Sequence, residues 1–111
     1  MKDGFYKVAF HALQPGSGGV VVVRNNEVHG ADPQFLYSGS LTQSGDDLNA
    51  VLTIAGYVPG ASSVFKTGGE KFQLQLTGKA SGAGFQLSGN APVPGQPPIQ
   101  IHGTLIASLP L

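Results

Sequence analysis

Cysteine is missing from this 111-residue chain, and that excludes two common ways of stabilising a small fold. Neither a disulfide scaffold nor a Cys-based zinc site can be built. Charge is scarce as well. Six basic residues balance six acidic ones and only 11% of residues are charged, well under the roughly 25% of an ordinary soluble domain. There is no basic stripe to meet a nucleic-acid backbone. The longest aliphatic run, Val20 to Val23, is far too short to cross a bilayer as a helix. Lys7 and His11 interrupt the apolar residues near the start, so the opening does not read as a signal peptide and the cytoplasm is the expected compartment. A surface so poor in charge is either polar and uncharged or partly covered by a partner, and a net charge of zero permits self-association.

Glycine and proline are what the chain has in quantity. Seventeen glycines and eight prolines cut it into short runs in which apolar and polar residues alternate, the pattern of antiparallel strands with one buried face. Phe72-Gln73-Leu74-Gln75-Leu76-Thr77 is the cleanest case, and Phe85-Gln86-Leu87-Ser88 and Ile99-Gln100-Ile101-His102 repeat it. The outward sets are rich in Gln, Ser and Thr, which favours a polar, uncharged surface. Eight strands are predicted, near 4–13, 18–24, 27–30, 35–43, 47–56, 70–79, 83–91 and 98–108. Asn25-Asn26, Gly45-Asp46 and Ser81-Gly82 mark tight reversals. The segment 58–70 lacks alternation and is expected to hold one short helical turn near 61–65, anchored by Val64 and Phe65. One all-β domain over 1–111 follows. Short connections between sequential strands favour an eight-stranded, antiparallel, up-and-down, lipocalin-like barrel, with a Greek-key sandwich as the alternative.

Four segments share one frame: "YSGSL" (37–41), "LTGKA" (76–80), "LSGNA" (87–91) and "IHGTL" (101–105). Alternation points Gly39, Gly78, Gly89 and Gly103 inward with the apolar set. The simpler reading is strand coiling and barrel closure. The functional one is that missing side chains leave an interior cavity for a small apolar ligand. Its candidate lining is Tyr37, Gly39, Leu74, Leu76, Gly78, Phe85, Leu87, Gly89, Ile101 and Gly103.

Catalytic chemistry finds little support. His11, His29 and His102 fit no metal-ligand spacing, although His11 and His102 would approach each other if the first and last strands pair. Asp46-Asp47 beside Gly45 reads as a solvated turn. "GSGG" and "SGAG" lack the context of a nucleophile elbow or a phosphate loop. No catalytic residue, metal or cofactor is therefore expected. Tyr37, placed inward with Phe35 and Leu41, needs a hydrogen-bond partner, and Asp32 or a backbone carbonyl can serve.

The opening "MKDGFYKVAF", the "HGAD" turn and "YSGSL" together resemble the GrlR-like proteins, small bacterial proteins named after a negative regulator of type III secretion. The matching positions are Asp3, Gly4 and Tyr6, then Gly30 and Asp32, then Tyr37, Gly39 and Leu41. The resemblance implies a lipocalin-like barrel with a hydrophobic interior, a homodimer, and cytoplasmic action through protein contacts. The regulator's contiguous acidic loop is not reproduced, since the corresponding stretch reads "TQSGDDLN". Asp46 and Asp47 are what remain as candidate partner-binding residues. Two functions thus compete, a non-enzymatic binding protein regulating secretion or transcription and a carrier of a small apolar ligand, with an enzyme using the His11/His102 neighbourhood as a third alternative.

Overall fold

A computed structural model describes residues 1–11, 17–60, 71–91, 95–96 and 98–111. Eight strands form: β1 (Gly4–His11), β2 (Ser17–Arg24), β3 (Glu27–Ala31), β4 (Phe35–Ser44), β5 (Asp47–Gly56), β6 (Phe72–Ser81), β7 (Gly84–Gly89) and β8 (Ile99–Ser108). Each pairs antiparallel with its sequence neighbour, and β8 returns to β1, closing a barrel in the order β1 to β8. The up-and-down barrel, not the sandwich, is the fold. The helical turn expected near 61–65, with Val64 and Phe65, lies outside the described residues, as do positions 12 and 13 of the first predicted strand.

Local chemistry places the reversals. Asn25 and Asn26 both take positive φ (52° and 63°) between β2 and β3, as a two-residue hairpin requires and as Asn tolerates better than any other non-glycine residue. Gly45 and Gly82 supply the positive φ of the β4–β5 and β6–β7 hairpins. The seam is long: Gly4 faces Ser108 and His11 faces Gln100, with Ile106 as an extra residue between the Tyr6–Leu105 and Phe5–Ala107 pairs. That bulge accommodates local twist where the barrel closes.

The core follows from alternation. Tyr6, Val8 and Phe10 of β1, Leu48, Leu52 and Ile54 of β5, Leu74 and Leu76 of β6, and Ile99 and Ile101 of β8 are all buried. Leu48, Leu74 and Leu76 lose essentially all contact with solvent, and full burial of such a side chain contributes about 1.5–3 kcal/mol. Two edge-to-face ring pairs brace the interior, Phe10 with Tyr37 at 5.1 Å and Tyr6 with Phe85 at 5.6 Å.

Candidate functional site

The barrel interior is the first place to look for a ligand. Of the ten residues singled out for its lining, Tyr37, Phe85, Leu87 and Ile101 border the interior void, and the other six lie in the strands around it. Tyr37, Leu74, Leu76, Leu87 and Ile101 are buried, and Phe85 is half-buried against the core. The interior void is about 30 Å³, bounded by apolar side chains such as Val8, Phe10, Leu52 and Leu87. A small-molecule site usually needs about 300–1,000 Å³. An apolar void of this size stays dry, because a water inside would find no hydrogen-bond partners.

The expectation that the inward glycines leave interior space needs correcting at each position. A Cβ on Gly103 would fall within the Phe85 ring, which lies across the strand pair directly opposite and fills the place of the missing side chain. At the other three positions the obstacle is backbone. A Cβ on Gly39 would meet the Val51 carbonyl oxygen, one on Gly78 that of Gln86, and one on Gly89 that of Gln75. These glycines therefore let the neighbouring backbone approach more closely than a side chain would allow. The volume that the side chains vacate is taken by the fold itself.

One end of the interior is held by a polar knot around Asp32, which follows β3. Its Oδ1 accepts the backbone N–H groups of Gln34 (2.8 Å) and Phe35 (2.7 Å), and its Oδ2 accepts the Tyr37 hydroxyl. The Asp32 carbonyl accepts the Tyr57 hydroxyl at 2.7 Å. This arrangement is an Asx turn, in which a carboxylate satisfies backbone donors that no strand can reach. Desolvation pushes the Tyr37 hydroxyl well above the ordinary tyrosine range, and the Asp32 carboxylate and Tyr57 add to the shift. Tyr37 is thus a fixed, protonated donor, the wrong state for a general base. At the opposite end the Tyr6 hydroxyl donates to the Lys2 carbonyl at 2.6 Å, and burial raises its pKa, with Asp3 adding and the Lys2 hydrogen bond opposing.

The remaining candidates lie on the outer face. His11 and His102 meet across the β1–β8 seam with ring centroids 6.1 Å apart. His29 pairs instead with Ser38 at 3.1 Å. Among the described residues no three His, Asp or Glu side chains gather into a metal-binding group. Asp46 and Asp47 sit exposed at the β4–β5 hairpin, where Asp47 forms an ion pair with Lys79 of β6.

Alternation hid one feature. Val20, Ala31, Leu36 and Ala55 face one another in register across β2, β3, β4 and β5, all pointing outward. Val20 is 43% and Leu36 49% exposed. Phe5 and Val22 form a second outward pair beside this row. The signal was present in the run of four valines and in Phe35-Leu36-Tyr37, where both faces of the strand are apolar. No family model matches the chain, and a search of curated proteins returns no match.

Proposed function

We propose that this chain is a non-enzymatic binding protein that works from its outer surface, as a homodimer joined through the Val20–Ala31–Leu36–Ala55 row. The filled interior carries this reading: with about 30 Å³ of open volume, binding has to take place outside. The row is apolar, free of charge along its four positions and spread over four consecutive strands, so two copies related by a twofold axis present matching surfaces. The zero net charge of the chain removes the repulsion that would oppose pairing. The resemblance to GrlR-like proteins points the same way and suggests a cytoplasmic regulator of secretion or transcription. In that role the exposed Asp46 and the Asp47–Lys79 pair form a small polar contact for a protein partner.

Sedimentation equilibrium tests the reading. The wild-type chain is expected to be dimeric at micromolar concentration, and Leu36→Asp to weaken the dimer at least about tenfold, since a charge would be desolvated at the contact. A wild-type chain that stays monomeric at every concentration overturns it. The carrier reading keeps one favourable observation, the wholly apolar interior lining, but a ligand there would have to displace Phe85 or another core side chain. Native mass spectrometry of freshly purified protein separates the two, because a carrier arrives with bound mass.

A further inference from the structure

Two of the inward glycines adjoin a feature on the outside of the barrel. The carbonyls that crowd Gly39 and Gly89 belong to Val51 and Gln75, and both residues lie in the floor of a groove on the outer face of β4 to β7. The groove encloses about 570 Å³, within the roughly 300–1,000 Å³ range of small-molecule sites.

Its walls have a consistent chemistry. Thr42, Asn49, Thr77 and Ser88 stand in one register row across the four strands. Ser40, Val51 and Gln75 form the next row, and Asn90 and Pro98 close one side. None of the described lining residues is charged. The amides carry donors and an acceptor each, and every hydroxyl can act as either. Elsewhere on the outer face some polar side chains are paired, Ser38 with His29 at 3.1 Å, Gln43 with the Gly45 carbonyl at 2.9 Å and Lys79 with Asp47. In the groove, the side chains of Asn49, Gln75, Thr77 and Ser88 make no hydrogen bond among the described residues and are open to a ligand. Val51, 38% exposed, and Pro98 add two apolar surfaces to this set.

We infer that the groove is a binding site for a neutral oligosaccharide. An anionic ligand would need a cation, and a metal ion would need carboxylates or imidazoles; the lining provides neither. An extended peptide would need a row of apolar pockets for alternate side chains, and the two flat surfaces of Val51 and Pro98 do not form one. A chain of sugar rings matches on every count: uncharged, dense in groups that both donate and accept, and bearing C–H faces that pack on Val51 and Pro98. Four strands at about 4.8 Å spacing and two rows about 7 Å apart provide a channel in which such rings lie across the strands. The site is independent of the proposed dimer row, which lies toward the Asp32 end of β4 and β5.

The test is a titration of the full chain, followed by amide chemical shifts in NMR, with maltotriose, cellotriose and chitotriose, and with a sulfated disaccharide and a neutral Gly-Ser peptide as contrasts. Saturable shifts confined to Thr42, Asn49, Gln75, Thr77 and Ser88 are expected with at least one neutral sugar, with an affinity of about 1 mM or tighter. Asn49→Ala and, separately, Gln75→Ala are each expected to weaken it about tenfold; both positions are outward, and an unchanged spectrum elsewhere shows that the fold is intact. Using two variants keeps the test decisive if one of them folds poorly. The inference is overturned if none of the three sugars shifts the groove, if the sulfated sugar or the peptide binds as well as they do, or if both variants bind like the parent.

Discussion

If Gly103 exists to seat the Phe85 ring, the two positions must be energetically coupled, and the sign of the coupling can be worked out in advance. A methyl group on Gly103 would overlap the Cε2 and Cζ side of the ring. The ring, unlike backbone, can swing away, but in doing so it gives up its edge-to-face contact with Tyr6 at 5.6 Å. Overpacking of this kind costs about 1–3 kcal/mol, so Gly103→Ala alone is expected to destabilise by about 2 kcal/mol. Phe85→Ala alone removes a half-buried ring and is expected to cost about 2 kcal/mol, below the roughly 3–5 kcal/mol of a fully buried aromatic. In the Phe85→Ala background the obstacle is gone. Gly103→Ala should then become neutral or stabilise by about 0.4–1 kcal/mol, because alanine narrows the unfolded ensemble. The coupling is therefore about 2–3 kcal/mol, and the effect of Gly103→Ala vanishes or reverses sign. Urea unfolding of the four proteins, followed by far-UV circular dichroism, measures it through the shift in midpoint at constant slope. If Gly103→Ala costs the same in both backgrounds to within about 0.5 kcal/mol, the ring does not fill the glycine site and the reasoning fails.

Further outcomes follow from the same contacts. Gly78→Ala meets the Gln86 carbonyl, which no side-chain change can move, so it is expected to cost about 3 kcal/mol or more; a loss under 1 kcal/mol in the same urea assay counts against the close backbone approach. Asp32→Asn keeps one acceptor but loses the charge that holds Tyr37 and two backbone N–H groups, and a loss of about 1–3 kcal/mol is expected, read as a lower thermal midpoint. Tyr37 and Tyr6 both have raised pKa values, so folding favours their protonated forms. The stability they contribute is fully present below the unfolded value near pH 10 and falls as the pH rises beyond it. Thermal midpoints measured from pH 8 to 11 should decline above about pH 10, and Tyr37→Phe should flatten that decline. Lys79→Gln, at a pair whose members are 70% and 61% exposed, is expected to leave the midpoint unchanged because water and salt screen such contacts; a clear fall would mean that the hairpin depends on the pair.

Strand positions were legible because alternation in a half-buried sheet has only one inward phase. Once Leu74 and Leu76 face the core, Gln73 and Gln75 have to face out. The turns were legible because Asn25-Asn26 and Gly45 are among the few residues that tolerate positive φ. The Asp32 partner of Tyr37 was within reach of the same reasoning, since a hydroxyl carried into a core needs an acceptor close in sequence. What alternation could not supply was whether an inward glycine leaves a gap. That depends on the tilt of the opposite peptide at Val51, Gln75 and Gln86 and on the aim of the Phe85 ring, all of which are set by partners distant in sequence. The outward rows were hidden for a related reason. Val20 and Leu36 become neighbours only through Ala31 between them, and that adjacency belongs to the register of three strands together.

The β1–β8 seam has a consequence for how the chain can be cut. Gly4 pairs with Ser108, and the Leu109 N–H reaches the Asp3 carbonyl at 3.4 Å. Each strand joins its neighbours in the same antiparallel way, and the seam differs in its bulge at Ile106 and in lacking a covalent turn. Joining the two ends by a short loop and opening the chain at Asn25-Asn26 would preserve every strand pair while making β3 first and β2 last. The β1–β8 pairing would change from the most distant contact in sequence to a local hairpin, and β2–β3 would take over the distant role. Because loop closure over a long separation slows folding, the two versions of this barrel should reach the same native state by different slowest steps.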